Sequence, residues 1–108
     1  MTLSWRAGRP VETENVATSA EGLATRVPVP EAVEAMKTLV DDMVLVPEQA
    51  LLDAQQDLTS ELGILVEPAG AAAWAACVAD SAPRSASLVI ITGSNLRTSI
   101  ARVAGAAC

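Results

Sequence analysis

The 108-residue sequence contains no histidine, no phenylalanine and no tyrosine, and it has only two tryptophans, two cysteines and one lysine. Without histidine, and with Cys77 and Cys108 far apart in the sequence, a zinc site of thiolate and imidazole ligands cannot be built, so no metal site is predicted. The scarcity of large aromatic side chains predicts a thin core made mainly of Ala, Val and Leu. The length corresponds to one small domain or part of one.

Positive charge is also scarce, since the net charge is −6 and the isoelectric point is near 4.4. Nucleic acids and anionic membrane surfaces require clustered Lys and Arg, so neither is an expected partner. No stretch reaches the roughly 18 apolar residues that span a bilayer, and the N-terminus lacks the apolar region of a signal peptide. We therefore expect a cytoplasmic protein with reduced cysteines.

Proline, glycine and apolar periodicity predict where the helices lie. Three helices are expected, over residues 30–40, 47–63 and 68–79. Gly63 is predicted to close the second helix in the left-handed conformation. A short fourth helix is expected over 96–103, whereas residues 1–29 are predicted to be mostly loop, with one extended piece over 16–24.

Three short β-branched runs, over residues 43–46, 64–66 and 87–92, are predicted strands. Strands that alternate with helices predict an α/β fold with a parallel sheet. Such a sheet is buried on both faces, and two or three short strands form only part of a doubly wound sheet. The remaining strands are therefore expected from another chain or from a longer form of this one.

Unusual residues follow two of the predicted strands, at Glu67 and at Thr92. Ligands of α/β folds bind at the carboxyl ends of strands. The helix after Glu67 begins with Gly70, Ala71 and Ala72, which allow a flat ligand or a neighbouring sheet to approach closely. Purely structural alternatives stay open. The helix after Glu67 could be a plain buried helix between two sheets, and the Thr92 hydroxyl could be hydrogen-bonded within its own turn. An unpaired buried carboxylate is costly, so Glu67 is expected to be paired or functional.

Four motifs in order resemble one known family. They are TSAEGL (residues 18–23), VDDMVLVPEQAL (40–51), GILVEPAGAAAWAA (63–76) and VIITGSNL (89–96). Together they are similar to the last part of the large domain of the pyridoxal-phosphate enzymes of fold type II, the tryptophan synthase β-like group, and most of all to the threonine and serine dehydratases, or ammonia-lyases. The first motif departs from the family pattern, because Glu21 stands where the family usually has Asp.

The resemblance implies a fold, a cofactor and the residues around it. It implies a single partial domain with a partial doubly wound parallel sheet, in which residues 30–96 form the family-like part and 97–108 a terminal helix and tail. It implies that Thr92 faces the pyridine nitrogen of pyridoxal phosphate and that Gly93 lets the backbone pass close to the ring. Glu67 is placed near the ring, and Gly22 along another edge of the cofactor.

The implied reaction is β-elimination of serine or threonine to a 2-oxo acid and ammonia. A neutral hydroxyl at the pyridine nitrogen suits elimination, because a carboxylate there would make the ring a stronger electron sink. The family's cofactor lysine lies in a motif similar to SFKxRGA, and its phosphate is held by a Gly-rich loop. Neither motif is present here, and Lys37 matches a surface helix position, where a solvated role is expected. No catalytic residue is therefore assigned.

These observations predict the C-terminal portion of a threonine or serine dehydratase-like enzyme, inactive as this chain alone. Pyridoxal phosphate is expected only in a complete or reconstituted enzyme. The expected partner is the N-terminal part of the same enzyme, a complementary chain or a second copy. Two alternatives remain: a non-catalytic regulatory or interaction module derived from the family, and a chain without autonomous function that folds poorly because of its thin core and unpaired strand edges. The choice between serine and threonine is not determined by these motifs.

Overall fold

The computed structural model describes residues 1–79 and 87–93, and the elements within these ranges are helical. They are α1 (Thr2–Ala7), a short 3-10 turn (Glu21–Leu23), α2 (Pro30–Leu39), α3 (Glu48–Leu62) and α4 (Pro68–Val78). In the described part of the chain, no helix is both long enough and apolar enough to cross a membrane. The predicted helix over 96–103 lies outside the described residues.

Helix α3 lies one residue inside each predicted bound, and its end is set by Gly63. This glycine is left-handed, with φ 64° and ψ 19°, and its N–H donates to the Thr59 carbonyl at 3.2 Å. The N–H of Ile64 donates to the Leu58 carbonyl at 2.9 Å, so two carbonyls of the last turn are satisfied. A left-handed glycine followed by this pair of bonds is a common way to end a helix.

Helix α4 also has its predicted position, with Pro68 in the first turn and an extended residue, Glu67 (φ −77°, ψ 160°), before it. Proline suits this position because its fixed φ is helical and its missing N–H would have had no partner there. Gly70, Ala71 and Ala75 are buried. Because these side chains are so small, the backbone of α4 can pack closely against its neighbours.

The core lies between α3 and α4. Leu58 is fully buried, and Val66, from the segment between the helices, is 3% exposed. Trp74 and Ile91 are partly buried against the same cluster. The core contains no fully buried aromatic side chain among the described residues, which agrees with the thin core expected from the composition.

Helices α1 and α2 pack against each other and, within the described residues, make no comparable contact with α3 or α4. The prediction of loop was wrong for α1, which is ended by left-handed Gly8 (φ 63°). Its fully buried Ser4 accepts a hydrogen bond from the N–H of Val11 at 3.0 Å, which holds the following chain against the helix. Residues 2–7 show no clear helical periodicity, so this contact rather than the local pattern explains the helix.

The predicted strands are not paired in the described part of the chain. Residues 43–46, 64–66 and 87–92 lie outside the helices there and form no β-ladder. The predicted extended piece over 16–24 was partly wrong, because residues 21–23 form the 3-10 turn. A strand is defined by its hydrogen bonds to a neighbouring strand, so these apolar segments cannot complete a sheet with one another in this arrangement.

Candidate functional site

The four candidate residues named from the sequence lie around the first turn of α4. Gly93 lies against Glu67, the residue that precedes this helix, and the backbone of Thr92 lies against Gly70, in its first turn. Gly22 approaches the helix from another segment, at Ala69. Three stretches of chain that are distant in the sequence therefore meet at one helix end.

Glu67 and Gly93 are in direct contact. A Cβ atom added to Gly93 would collide with Oε1 of Glu67 and would lie 2.7 Å from its Cδ. Gly93 also has a φ of 87°, in the region that favours glycine. Both observations explain why a glycine occupies position 93: the Glu67 side chain fills the space that any side chain there would need.

The carboxylate of Glu67 is half-buried and makes no hydrogen bond or ion pair within residues 1–79 and 87–93. Its backbone carbonyl, by contrast, accepts the N–H groups of Gly70 at 3.0 Å and Ala71 at 3.2 Å. The backbone of Glu67 therefore starts α4, while its side chain is left with acceptor capacity. Partial exposure allows this at low cost, because water can solvate the charge.

Gly70 allows α4 to lie directly against the backbone of Thr92. An added Cβ at Gly70 would collide with the Thr92 carbonyl oxygen and lie 2.8 Å from the carbonyl carbon. The sequence left open whether this bare helix faces a flat ligand or a neighbouring strand segment. At Gly70 the neighbour is the backbone of residue 92, whose side chain remains exposed.

Gly22, in the 3-10 turn, packs against Ala69. An added Cβ at Gly22 would lie 3.0 Å from the Cβ of Ala69, whereas carbon atoms normally pack about 3.5–4.0 Å apart. The turn also contacts α4 as an element, and Ala20 beside it is 1% exposed in the core. The absence of a side chain at position 22 therefore sets how close this turn lies to the start of α4.

Glu48, the first residue of α3, makes a contact near the site that the sequence pattern did not reveal. Its Oε2 accepts the hydroxyl of Thr18 at 2.9 Å, and its Oε1 accepts the N–H of Ser19 at 2.5 Å. The N–H of Ala20 donates in turn to the Thr18 hydroxyl at 3.0 Å. These bonds connect the first turn of α3 to the segment that carries Gly22.

The same contacts lower the pKa of the Glu48 carboxyl below its usual value of 4.5. Hydrogen bonds from Ser19, through its side chain and then its backbone N–H, are the main cause, followed by the bond from Thr18. Each of these donors favours the ionised form. Glu48 therefore stays charged, and an acceptor, into moderately acidic solution.

A groove of about 900 Å³ lies beside this region. It is lined by the segment 43–46, by residues around the 3-10 turn and by the outer alanines of α4, Ala72, Ala73 and Ala76. Of the four candidate residues only Gly22 lines it, and no lysine or arginine of the described chain does. The groove and the Glu67–Gly93 contact are thus adjacent features rather than one pocket.

Lys37 lies on α2, apart from this site. Its Nζ is 2.6 Å from Oε2 of Glu34, one turn away on the same helix, and its side chain is 38% exposed. Its Cε lies 3.6 Å from where a Cβ of Gly8 would be, which places it beside α1. The surface role expected from the sequence agrees with this position.

Comparison with known proteins gives the family of the chain. Residues 1–93 match the family of pyridoxal-phosphate dependent enzymes. Among solved structures, the chain is similar to a threonine deaminase from T.th., with 31% identity and a TM-score of 0.69. The match covers 74% of this chain and 30% of that enzyme, so the chain spans less than a third of its length. No curated protein gives a match to the sequence.

The order of motifs, the fold similarity and the family match agree. Pyridoxal phosphate is the cofactor of this family. The chain therefore belongs to the pyridoxal-phosphate dependent enzymes, within the fold type II group of threonine dehydratase-like proteins.

Proposed function

We propose that this chain supplies one wall of the cofactor pocket in an enzyme that converts threonine or serine into a 2-oxo acid and ammonia. The main support for this proposal is that Gly22, Glu67, Thr92 and Gly93 lie together around the first turn of α4. The similarity to a threonine deaminase supports the reaction class. The wall belongs to a larger unit whose other parts include the remaining strands of a parallel sheet.

The residues present fit the ring side of pyridoxal phosphate. Gly22 and Gly93 are exposed, so a flat ring can approach their backbone from the solvent side, away from their contacts with Ala69 and Glu67. Thr92 adds an exposed hydroxyl, and Glu67 a carboxylate with free acceptor capacity. The phosphate lacks an evident binding group, because no lysine or arginine of the described chain lines the adjacent groove.

Thr92 would hold the pyridine nitrogen by hydrogen bonding and leave it neutral. When bound, pyridoxal phosphate supplies an electron sink for the pair released at the substrate α-carbon. A neutral hydroxyl moderates that sink, which favours loss of the β-hydroxyl over competing reactions. Glu67, beside Gly93, would accept a hydrogen bond from a donor of the bound molecules and hold it in place.

The overall reaction balances without an oxidant. The amino acid loses its α-proton and its β-hydroxyl, which together leave as water, and one water is taken up when the resulting 2-imino acid is hydrolysed to the 2-oxo acid and ammonia. The proton transfers at the α-carbon require a base, and a lysine amine is a suitable group. Lys37, tied to Glu34 and packed beside α1, is distant in the fold from Glu67.

We therefore assign the base, the covalent cofactor link and the phosphate loop to another polypeptide segment, either the N-terminal part of the same enzyme or a complementary chain. Exposed apolar residues support such an association. Leu88 and Ile90 are 91% and 69% exposed, and Leu45 beside the groove is 68% exposed. Apolar strand residues this exposed are typical of a surface that another segment covers.

Complementation tests the proposal. The 108-residue chain is mixed with the part of the threonine deaminase that it does not cover, in the presence of pyridoxal phosphate, and 2-oxo acid release is measured. We expect activity only in the mixture, and we expect Thr92→Ala to abolish most of it while the matched hydroxyl variant Thr38→Ala retains it. Binding of the two polypeptides without activity would instead support a non-catalytic interaction module.

Chemical trapping tests the assignment of the lysine. The isolated chain is treated with pyridoxal phosphate and borohydride, digested, and searched by mass spectrometry for pyridoxyl groups. We expect no saturable labelling at Lys37, and Lys37→Arg controls for labelling at the N-terminal amine. Stoichiometric, saturable labelling of Lys37 would contradict the proposal, because the chain would then hold its own cofactor lysine.

A further inference from the structure

The carboxylate of Glu48 joins two segments that the fold brings together from distant parts of the sequence. It lies at the start of α3 and accepts hydrogen bonds from Thr18 and Ser19, which lie 30 and 29 residues earlier. Thr18 also accepts the N–H of Ala20, so its hydroxyl is fixed at both ends. We call this set of three hydrogen bonds the Glu48 clamp.

The clamp acts on the segment that carries Gly22. Ala20, whose N–H belongs to the clamp, is buried in the core, and the 3-10 turn that follows places Gly22 against Ala69. The turn itself is short and is held by backbone bonds such as Leu23 N–H to the Ala20 carbonyl at 2.8 Å. Apart from Ala20, its residues are exposed, so packing alone fixes little of its position.

From this geometry we infer that Glu48 is a positioning residue, which holds the Gly22 turn against the start of α4 and so sets that edge of the cofactor site. The carboxylate suits this task because one group accepts both donors, the hydroxyl of Thr18 and the N–H of Ser19. Hydrogen bonds to an ionised acceptor are shorter and stronger than neutral ones. The assignment of Gly22 to the cofactor edge rests on the proposed function; the positioning itself does not.

Glu31 provides a matched control for Glu48. Both residues lie in the first turn of a helix next to a proline, and both are exposed. Both therefore interact favourably with the helix dipole. Only Glu48 accepts hydrogen bonds from another segment in the described part of the chain, so the pair separates an effect on helix stability from an effect of the clamp.

The test uses the whole chain without cofactor, labelled for NMR. The contact between the Gly22 α-protons and the Ala69 methyl group is measured as a nuclear Overhauser effect, and the amide exchange rates of Ser19 and Ala20 are measured beside it. We expect Glu48→Ala to abolish the contact and to raise both exchange rates roughly fivefold or more. Glu48→Gln, which keeps one acceptor oxygen, is expected to retain part of the contact, and Glu31→Ala all of it.

Two results would overturn the inference: persistence of the Gly22–Ala69 contact in Glu48→Ala, or its equal loss in Glu31→Ala. Contacts between Leu58 and Ala71 report whether the α3–α4 core is intact. If Glu48→Ala loses that core, the double variant Thr18→Val/Glu48→Gln decides the question, since it removes both bonds of the Thr18 hydroxyl and weakens the acceptor of Ser19. An unchanged Gly22–Ala69 contact in that variant would refute the clamp. Adding pyridoxal phosphate together with the part of the threonine deaminase that the chain does not cover tests the cofactor edge separately: an unchanged Gly22 resonance in that mixture would count against the proposed function only.

Discussion

Gly70→Ala is the substitution for which the sign of the stability change depends most directly on the structure. In an ordinary helix the change stabilises the folded state by about 1 kcal/mol, because alanine has the higher helix propensity. Gly70 has no positive φ that would strain an alanine. If only local effects operated, the variant would therefore be more stable.

The contact with Thr92 reverses this expectation. The added Cβ would collide with a backbone carbonyl, which cannot rotate away as a flexible side chain can. Overpacking of this kind costs about 1–3 kcal/mol, so the net effect is a loss of about 1 kcal/mol, or a displacement of residue 92 from the helix. Either outcome moves the hydroxyl that we assign to the cofactor.

Urea unfolding, followed by the fluorescence of Trp74 in a Trp5→Phe background, measures the effect. With a slope of about 1–3 kcal/mol per molar urea, the unfolding midpoint should fall by about 0.3–1 M. Ala73→Gly, at an exposed position of the same helix, measures the intrinsic difference between the two residues and should destabilise by about 1 kcal/mol. A Gly70→Ala protein that is more stable than the parent would refute the close approach of Thr92 to α4.

Three further outcomes are expected. The pKa of Glu48 is lowered in the folded chain. Its contribution to stability is therefore complete above about pH 4.5 and is lost as the pH falls through the pKa of the folded state. Between about pH 6 and pH 3, the urea midpoint should fall less in Glu48→Gln than in the parent. Gly93→Ala should destabilise the folded chain, because alanine disfavours the positive φ and its Cβ would collide with Glu67. A double-mutant cycle with Glu67→Ala should therefore give a coupling free energy of about 0.5–3 kcal/mol. Additive effects of the two substitutions would contradict the contact. Leu58→Ala should cost about 2–5 kcal/mol in urea unfolding, whereas Leu52→Ala, 42% exposed, should cost far less; equal losses would mean that the core lies elsewhere.

Local signals were sufficient for much of the secondary structure. Pro30 and Pro68 mark helix starts, and Gly63 marks a helix end. These signals can be read from the sequence because each depends on the backbone angles that the residue type itself prefers. The ordered motifs also indicated the family, and the four candidate residues do lie around one helix end. Whether those residues hold the cofactor stays a prediction.

Contacts between distant segments had no such signal. Glu48 has the same sequence setting as Glu31, an acidic residue after a proline at a helix start, yet only Glu48 meets Thr18 and Ser19 in the described part of the chain. The bond between Ser4 and Val11, beside the short helix α1, likewise has no local signal in the sequence. The predicted strands need neighbouring backbone for their hydrogen bonds, and the described residues provide none.

The sequence by itself determined the positions of α2, α3 and α4, the family of the chain and the residue types available to a cofactor. Only the tertiary structure decided that Gly70 lies beneath Thr92, that Gly93 accommodates Glu67 and that Glu48 holds the Gly22 segment. The physical reason is that caps and periodicity act within a few residues. A close approach of two backbones depends instead on how whole segments pack, which no single stretch of sequence specifies.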